Sequence, residues 1–374
     1  MTAIVSSPEL RLCDDDFFYI GIVDYEKFTY EERWNGRDTW EMTLMKSVPI
    51  AEFVRVGRVL HYYDPDEAKI RALVIKQIDV DDTQIKATGN DYLGDLFGVR
   101  LALTGTTSNT GYDTQTGDAE SVMLHFIRSN ILEDASRGDP VLRLETVNHQ
   151  RGQNVEIAAR FQALLEVLES CCTQGYVGWE GVVVEDTELA WGWAVEFRVR
   201  VGLDHSQMQT EISPTILSEE FGTAKISRFT DTLPEGSLAV VAGQGEAADR
   251  IQVMVGESTQ TGLARRELFV DARDVETIDQ LQKRGSEALA DAEMTSIEVD
   301  YLASGSFKYP SDFCIGDIVT VDVGTYGAYD LPISVVKRTW SVDEQEIVIT
   351  LGAEVTDVVR LIREQTRKNP DRRR

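Results

Sequence analysis

The chain has 374 residues, of which 42% are hydrophobic and 8% aromatic. This length predicts two to three domains, and this composition excludes intrinsic disorder over most of the chain. The 37 basic residues are outnumbered by 64 acidic ones, and the formal charge of −27 excludes binding to a phosphate backbone as the main activity. No apolar run approaches the roughly 18 residues of a membrane helix. Residues 1–10 lack the pattern of a secretory signal, so a cytoplasmic product is expected.

The N-terminal part, residues 1–104, is predicted to form a β domain. Short runs rich in β-branched and aromatic residues alternate with turn residues such as Asn35-Gly36 and Asp81-Asp82. Strands this short and closely spaced are typical of a small β-barrel or sandwich. The predicted strands cover residues 19–24, 30–34, 40–45, 59–64, 72–80 and 84–89.

A different architecture is predicted for residues 105–205. The stretch 104–118 is rich in Gly, Thr, Ser and Asn and predicts an exposed loop or boundary. Apolar residues then recur at helical spacing from Val122 to Ile131 and from Ile157 to Leu168, which predicts two amphipathic helices. Together with strand-like runs at 141–146, 182–184 and 194–201, they predict an α/β insert domain.

The β pattern returns in residues 206–354, which predict a second β-barrel domain with one helix at 274–294. Its predicted strands cover residues 224–230, 237–242, 251–255, 266–270, 295–303, 318–323, 333–341 and 346–351. The basic residues 355–374 predict a C-terminal helix and tail that reach an acidic neighbour, with a solvated chain end as the alternative. We therefore predict partner contacts at Arg372, Arg373 and Arg374.

Two parts of the sequence predict an internal repeat. Residues 53–60 (FVRVGRVL) align with 313–319 (FCIGDIV), and residues 74–82 align with 335–344. A duplicated β module explains the match, although common hairpins also share glycine, turn acids and Val or Ile by chance. The predicted fold class is therefore mixed α+β and mainly β, with two similar β-barrel domains flanking the α/β insert. Three chains with two such modules each would present six near-equivalent faces, so threefold and sixfold rings could meet.

The sequence contains no pattern of an enzyme or cofactor site. The four histidines are scattered without an HExxH spacing, and GxSxG and Walker motifs are absent. No catalytic residue, cofactor or metal is therefore predicted. The cysteines form no CxxC pair and predict reduced thiols: Cys13, Cys171, Cys172 and Cys314.

Several short motifs resemble, in their order, those of siphophage tail-hub proteins, also called baseplate hub or tail-associated (Tal-like) proteins. The first three are residues 21–24 (GIVD), 32–36 (ERWNG) and 40–44 (WEMTL). The later motifs are Gly243-Gln244-Gly245-Glu246 with Arg250, residues 266–273 (RELFVDAR) and residues 316–319 (GDIV). Together they span residues 19–354, nearly the whole chain.

The resemblance implies a homotrimeric ring built from two β-barrel domains per chain. Such a ring docks on the sixfold tail tube or distal tail ring and seats threefold tip, fibre or needle proteins on its other side. Its channel takes the tape measure protein and then DNA, without specific binding and without stable membrane insertion. The implied location is the tail tip or baseplate of the virion, after assembly in the host cytoplasm. The alternatives are a tail-associated cell-wall hydrolase or endopeptidase, and a host-receptor-binding module.

Two groups of side chains are candidates for contacts within this architecture. Acidic residues of the two repeat copies are predicted to face the lumen and repel DNA phosphates, with a solvated turn as the alternative: Asp79, Asp81, Asp82, Asp343 and Glu344. Trp191 and Trp193 flank Gly192, so both rings lie on one strand face. They predict a partner contact, with core packing as the alternative.

Overall fold

The structure is a computed structural model. It describes residues 7–104, 111–206, 214–232, 236–245, 250–273, 275, 277–290, 294–302, 306–341 and 345–352. The chain divides into two compact units, a large one formed from residues 1–226 and 299–350 and a small one formed from 227–298 and 351–374. The predicted domains 1–104, 105–205 and 206–354 remain a proposal, because these units do not show which segments fold independently.

The described residues contain twenty-two strands. The first fourteen are β1 Glu9–Cys13, β2 Tyr19–Ile22, β3 Lys27–Arg33, β4 Thr39–Met45, β5 Val59–Asp64, β6 Lys69–Val80, β7 Gln84–Asp91, β8 Asp113–Asp118, β9 Leu142–Leu144, β10 Asn154–Ala159, β11 Gly178–Glu185, β12 Trp193–Arg200, β13 Asp204–His205 and β14 Ile216–Ser218. The others are β15 Ala224–Thr232, β16 Leu238–Ala242, β17 Gln252–Gly256, β18 Glu267–Asp271, β19 Met294–Tyr301, β20 Ile318–Asp322, β21 Ala328–Ser341 and β22 Gln345–Gly352.

The main sheet of the large unit contains strands from the N-terminal part of the sequence, β1 to β7, and from the C-terminal part, β20 to β22. Its strand order runs β22-β21-β3-β4-β7-β6-β5-β1-β2, and β20 pairs with β21, β13 and β14. Strand β3 pairs antiparallel with β21 and places Phe28 opposite Trp340. Because alternate side chains of a strand face one side, Phe28, Tyr62 and Trp340 are buried together in an aromatic core.

The prediction of a mainly β protein with few helices is confirmed, but the two separate barrels are not. The strand path does not close on itself among the described residues, and β3 pairs with β21 across the predicted domain boundaries. Alternation of apolar and polar residues identifies a strand and its buried face. It does not identify the neighbouring strand, so the long-range pairing was not predictable.

Three α-helices lie in the described part of the large unit, at α1 Tyr92–Val99, α2 Ala119–Ile127 and α3 Leu164–Gly175. Helix α2 begins after Asp118, whose carboxylate accepts a hydrogen bond from the Ser121 backbone N–H at 2.8 Å. A π-helical turn, Arg128–Leu132, follows it. The helix predicted from Ile157 onward is wrong before residue 164, because Val155, Ile157 and Ala159 alternate inward on β10. A four-residue spacing fits an even strand period as well as a helical one.

The small unit contains a three-stranded sheet with the order β17-β16-β18. Helix α4, Ile278–Ala290, lies within the predicted helical segment 274–294. Its Leu281 packs with Val241 and Val255 in a small apolar core. The opposite face of the sheet carries Met254 and Phe269, which are exposed on either side of Val240.

Candidate functional site

Two β-hairpins of the large unit share one backbone arrangement. In the first, formed by β5 and β6, Gly57 has φ 91° and its N–H donates to the carbonyl of Ile75 at 2.8 Å. In the second, formed by β20 and β21, Gly316 has φ 89° and its N–H donates to the carbonyl of Ile333 at 2.9 Å. Each isoleucine returns a hydrogen bond of 2.9 Å to the carbonyl of the residue after the glycine. The two glycines therefore occupy equivalent positions in a repeated hairpin.

The register of this repeat differs from the sequence alignment. The alignment placed Val74 beside Val335, whereas the hydrogen bonds make Ile75 equivalent to Ile333, a difference of three residues. Runs of Val and Ile match each other at several offsets, so backbone pairing rather than composition determines the register. A β-bulge between Ile75 and Gln77 further changes the spacing in the first copy.

The first hairpin leads through β6 and β7 to an acidic tip. Asp79, Asp81 and Asp82 are all exposed there. The Asp81 carboxylate accepts hydrogen bonds from the backbone N–H groups of Gln84 and Thr83, both at 2.7 Å, and these bonds lower its pKa. Asp81 therefore builds the turn, while Asp79 and Asp82 present negative charge to the surroundings. A place in a lumen remains a prediction for all three.

The other predicted charged contacts lie outside the described residues. They are Asp343, Glu344, Arg372, Arg373 and Arg374. Within the described parts of the chain, no group of three or more His, Cys, Asp or Glu side chains is placed to hold a metal ion. A search of the same residues for helices long and apolar enough to cross a membrane returns none.

The two predicted contact tryptophans pack against the turn between β1 and β2. Trp193 is buried and its indole N–H donates to the Phe17 carbonyl at 3.0 Å. Trp191 is half-buried and donates to the Trp193 carbonyl at 2.8 Å. The Phe17 ring centroid lies 5.2 Å from that of Trp191 and 5.7 Å from that of Trp193. The structure thus brings both rings together within the large unit, and their contact with a partner remains a prediction.

A network of buried charged side chains joins strands of the main sheet to strands β11 and β12. The sequence analysis did not predict this network. It contains four carboxylates and four cations, so its formal charges cancel. Its members are Glu32, Asp64, Glu67, Glu180, Lys69, Arg71, Arg200 and Arg338.

Glu32, on β3, is the central carboxylate of the charge network and is 1% exposed. Its Oε1 accepts hydrogen bonds from Arg71 Nη2 at 3.1 Å and from Arg200 Nη1 at 2.7 Å. Arg338 on β21 is fully buried, and its Nη2 lies 2.6 Å from Oδ2 of Asp64 on β5. The charge network therefore links the first repeated hairpin, which supplies Asp64 and Arg71, to the second, which supplies Arg338.

Cations control the ionisation of the partly enclosed carboxylates of this network. Burial raises the pKa of Glu180, but Arg200, Arg71 and Lys69 outweigh it and the net pKa is lowered. Glu32 Oε2, together with Arg338 Nε and Nη1, has no hydrogen-bond partner among the described residues. Because incomplete hydrogen bonding leaves part of the desolvation cost unmet, the charge network contributes less net stability than its number of ion pairs suggests.

A cleft of about 490 Å³ lies beside the charge network. Trp34, Glu67, Arg200, Tyr309 and Cys314 are among its lining residues. The guanidinium carbon of Arg200 lies 5.4 Å from the Trp34 ring centroid, a cation–π distance. Desolvation and the neighbouring Asp317 carboxylate raise the pKa of the Cys314 thiol to about 12, which disfavours the nucleophilic thiolate at neutral pH. The cleft therefore lacks an activated cysteine.

This fold is that of prophage tail proteins. The chain is similar to prophage tail protein gp18 from Listeria monocytogenes EGD-e, with a TM-score of 0.57, 14% identity, and coverage of 96% of this chain and 98% of that one. It is also similar to the 43 kDa tail protein of prophage MuSo2 from Shewanella oneidensis (TM-score 0.56, 13% identity, 92% and 98% coverage) and to a tail protein from Neisseria meningitidis MC58 (0.55, 11%, 93% and 97%).

Comparison of the sequence with protein-family models narrows the assignment from a fold to a family. The model of the Siphovirus ReqiPepy6 Gp37-like protein family matches residues 9–353, so the chain belongs to this family. No curated protein sequence matches the chain significantly. The predicted resemblance to siphophage tail proteins is thus confirmed, and the family implies a structural role as a tail component of the virion.

Proposed function

We propose that three copies of this chain form the hub at the tip of a siphophage tail. The hub joins a sixfold tail-tube or distal-tail ring to threefold tip, fibre or needle proteins. The supporting observation is the pair of equivalent hairpins at Gly57 and Gly316, which share φ angles and hydrogen bonds. Three chains with two equivalent modules each supply six similar positions around one axis, which is what a threefold-to-sixfold adaptor requires.

The acidic hairpin tip fits a channel through which the tape measure protein and then DNA pass. Asp79, Asp81 and Asp82 are exposed there, and the whole chain carries a formal charge of −27. Carboxylates that face a passage repel phosphates, so DNA slides without binding. We propose that residues 343 and 344, between β21 and β22, supply the corresponding charge in the second copy.

The test is the mass of the purified full-length chain, measured by sedimentation equilibrium over a wide concentration range. We expect a reversible or stable species with three times the mass of one chain. A chain that stays monomeric at all concentrations, or one that forms a closed hexamer, contradicts the proposal. Repeating the measurement with the distal-tail ring protein added tests whether the trimer binds a sixfold partner.

A further inference from the structure

Six side chains in the middle of the sequence form one exposed surface of the large unit, here named the arginine–aromatic surface. It combines two arginines with aliphatic and aromatic side chains whose exposed fractions lie between 40% and 55%. Its members are Leu101, Leu103, Tyr112, Arg137, Arg160 and Phe161. Isolated exposed apolar residues are ordinary, but a contiguous group with arginines is typical of an interface.

Backbone and side-chain contacts hold these residues together. The Phe161 N–H donates to the carbonyl of Ala102, the residue between the two leucines, at 2.7 Å. The Arg137 guanidinium donates to the Leu101 carbonyl at 2.7 Å. The guanidinium carbon of Arg160 lies 5.6 Å from the ring centroids of both Tyr112 and Phe161.

The π-helical turn Arg128–Leu132 fixes one side of the arginine–aromatic surface. Its buried Asn130 accepts a hydrogen bond from the Leu103 N–H at 2.7 Å through Oδ1. The same Oδ1 accepts from Arg137 Nη1 at 3.3 Å. Turns of this kind occur frequently at functional sites, and here one orders both an apolar and a cationic member of the surface.

The backbone of Phe161 is an unusual feature of the arginine–aromatic surface. Its φ is 59°, a left-handed conformation that costs a side chain energy, yet 55% of the residue is exposed. Phe17 has a similar φ of 68°, but its ring packs against Trp191 and Trp193. Tyr176 is left-handed and exposed because it caps the C-terminus of α3. The Phe161 ring instead has the Arg160 guanidinium over it, and 55% of the residue stays exposed.

We propose that the arginine–aromatic surface is where a second copy of this chain docks, and this inference rests on the self-association in the proposed function. Each copy carries 64 acidic and 37 basic residues, so two copies repel each other unless a cationic patch meets an acidic one. Arg160 supplies an exposed cation for that patch, and Phe161, whose ring centroid lies 5.6 Å from the Arg160 guanidinium carbon, supplies an aromatic anchor.

The test compares single-residue variants of the full chain by sedimentation equilibrium, with the unfolding temperature as a check on folding. Phe161→Gly removes the ring and relieves the left-handed backbone, so it leaves the unfolding temperature equal to or above that of the wild type. We expect it to weaken self-association at least about tenfold. Arg160→Glu weakens it further, and by more at low salt than at high salt. Tyr176→Gly is the matched control, because it relieves the same kind of backbone outside the surface and leaves association unchanged.

The outcomes separate this inference from the proposed function. Wild-type trimers together with wild-type association of Phe161→Gly and Arg160→Glu overturn the docking surface and leave the hub standing. A wild-type chain that never associates overturns both. Weaker association of these two variants, with normal unfolding temperatures and a normal Tyr176→Gly control, supports the surface.

Discussion

The two repeated hairpins keep the same backbone but have different surroundings. A Cβ atom added at Gly57 would have no atom within 4 Å, whereas at Gly316 it would lie 2.3 Å from the Trp34 ring. The outer strand of the first hairpin, β5, pairs antiparallel with β1. The outer strand of the second, β20, pairs in parallel with β13 and β14. The two hairpins therefore share their hydrogen bonding and differ in their packing.

The shared backbone hydrogen bonds and the different packing can be assigned to different roles of the two hairpins. Equivalent backbone bonds at both glycines fit one shared task, the six similar positions of the proposed ring. Different packing around them fits two different neighbours within one chain. The charge network then fixes the two hairpins to each other through the ion pair between Asp64 and Arg338.

The largest expected effect comes from breaking this connection. Arg338→Met leaves Asp64 buried without its nearest cation, and removing one partner of a buried pair costs about 3–5 kcal/mol. Urea unfolding of the full chain measures the loss. Lys337→Met, an exposed neighbour on the same strand, is the control and should change stability by less than about 0.5 kcal/mol. Equal effects of the two substitutions would show that the charge network does not join the hairpins.

The second-largest effect is expected from an alanine substitution at Gly316. Gly316→Ala combines a left-handed backbone with a clash against Trp34, so we expect a cost of about 2–4 kcal/mol from strain and overpacking together. The free energy of unfolding in urea measures it. The double variant with Trp34→Leu recovers part of that cost if the clash is its source.

Gly57→Ala is the matched substitution in the other hairpin, and we expect it to cost less stability. The φ of Gly57 is equally unfavourable for alanine, but the added methyl group meets open space. We expect a loss of about 1–2 kcal/mol from the backbone alone. If Gly57→Ala costs as much as Gly316→Ala in the same titration, packing does not distinguish the hairpins and the comparison is wrong.

The smallest expected effect is a change in pH dependence. Arg200, Arg71 and Lys69 outweigh the effect of burial and keep the pKa of Glu180 below its ordinary value near 4.3. The stabilisation from this carboxylate is therefore present above that pH and is lost as the pH falls through the lowered pKa. Glu180→Gln should reduce proton uptake on acid unfolding, by no more than one proton. Glu185→Gln, at an exposed position on the same strand, is the control for the substitution itself.

Features that depend on a local sequence pattern, such as strands and turn glycines, were predictable from the sequence. Strands predicted at 59–64 and 84–89 are observed at Val59–Asp64 and Gln84–Asp91, because alternation and turn residues are local signals. The glycines of the repeat were also found, since only glycine adopts their φ angles readily. Family membership followed from short motifs spread along most of the chain.

Long-range features were not predictable in the same way. Arg71 and Arg338 lie within apolar strands, and an arginine in such a strand indicates a buried cation. No local sequence pattern identifies their partners, which are Glu32 and Asp64. The pairing of β3 with β21 depends on tertiary packing of Phe28 on Trp340. The left-handed backbone of Phe161 has no sequence signal, because phenylalanine rarely adopts it.

A density map of an assembled tail tip would show whether this chain forms a trimeric hub. We expect three copies of this chain around the tail axis, with the Gly57 and Gly316 hairpins alternating at nearly equal radius to give six similar positions. Six copies, or hairpins at clearly different radii with no axial channel between them, would contradict it.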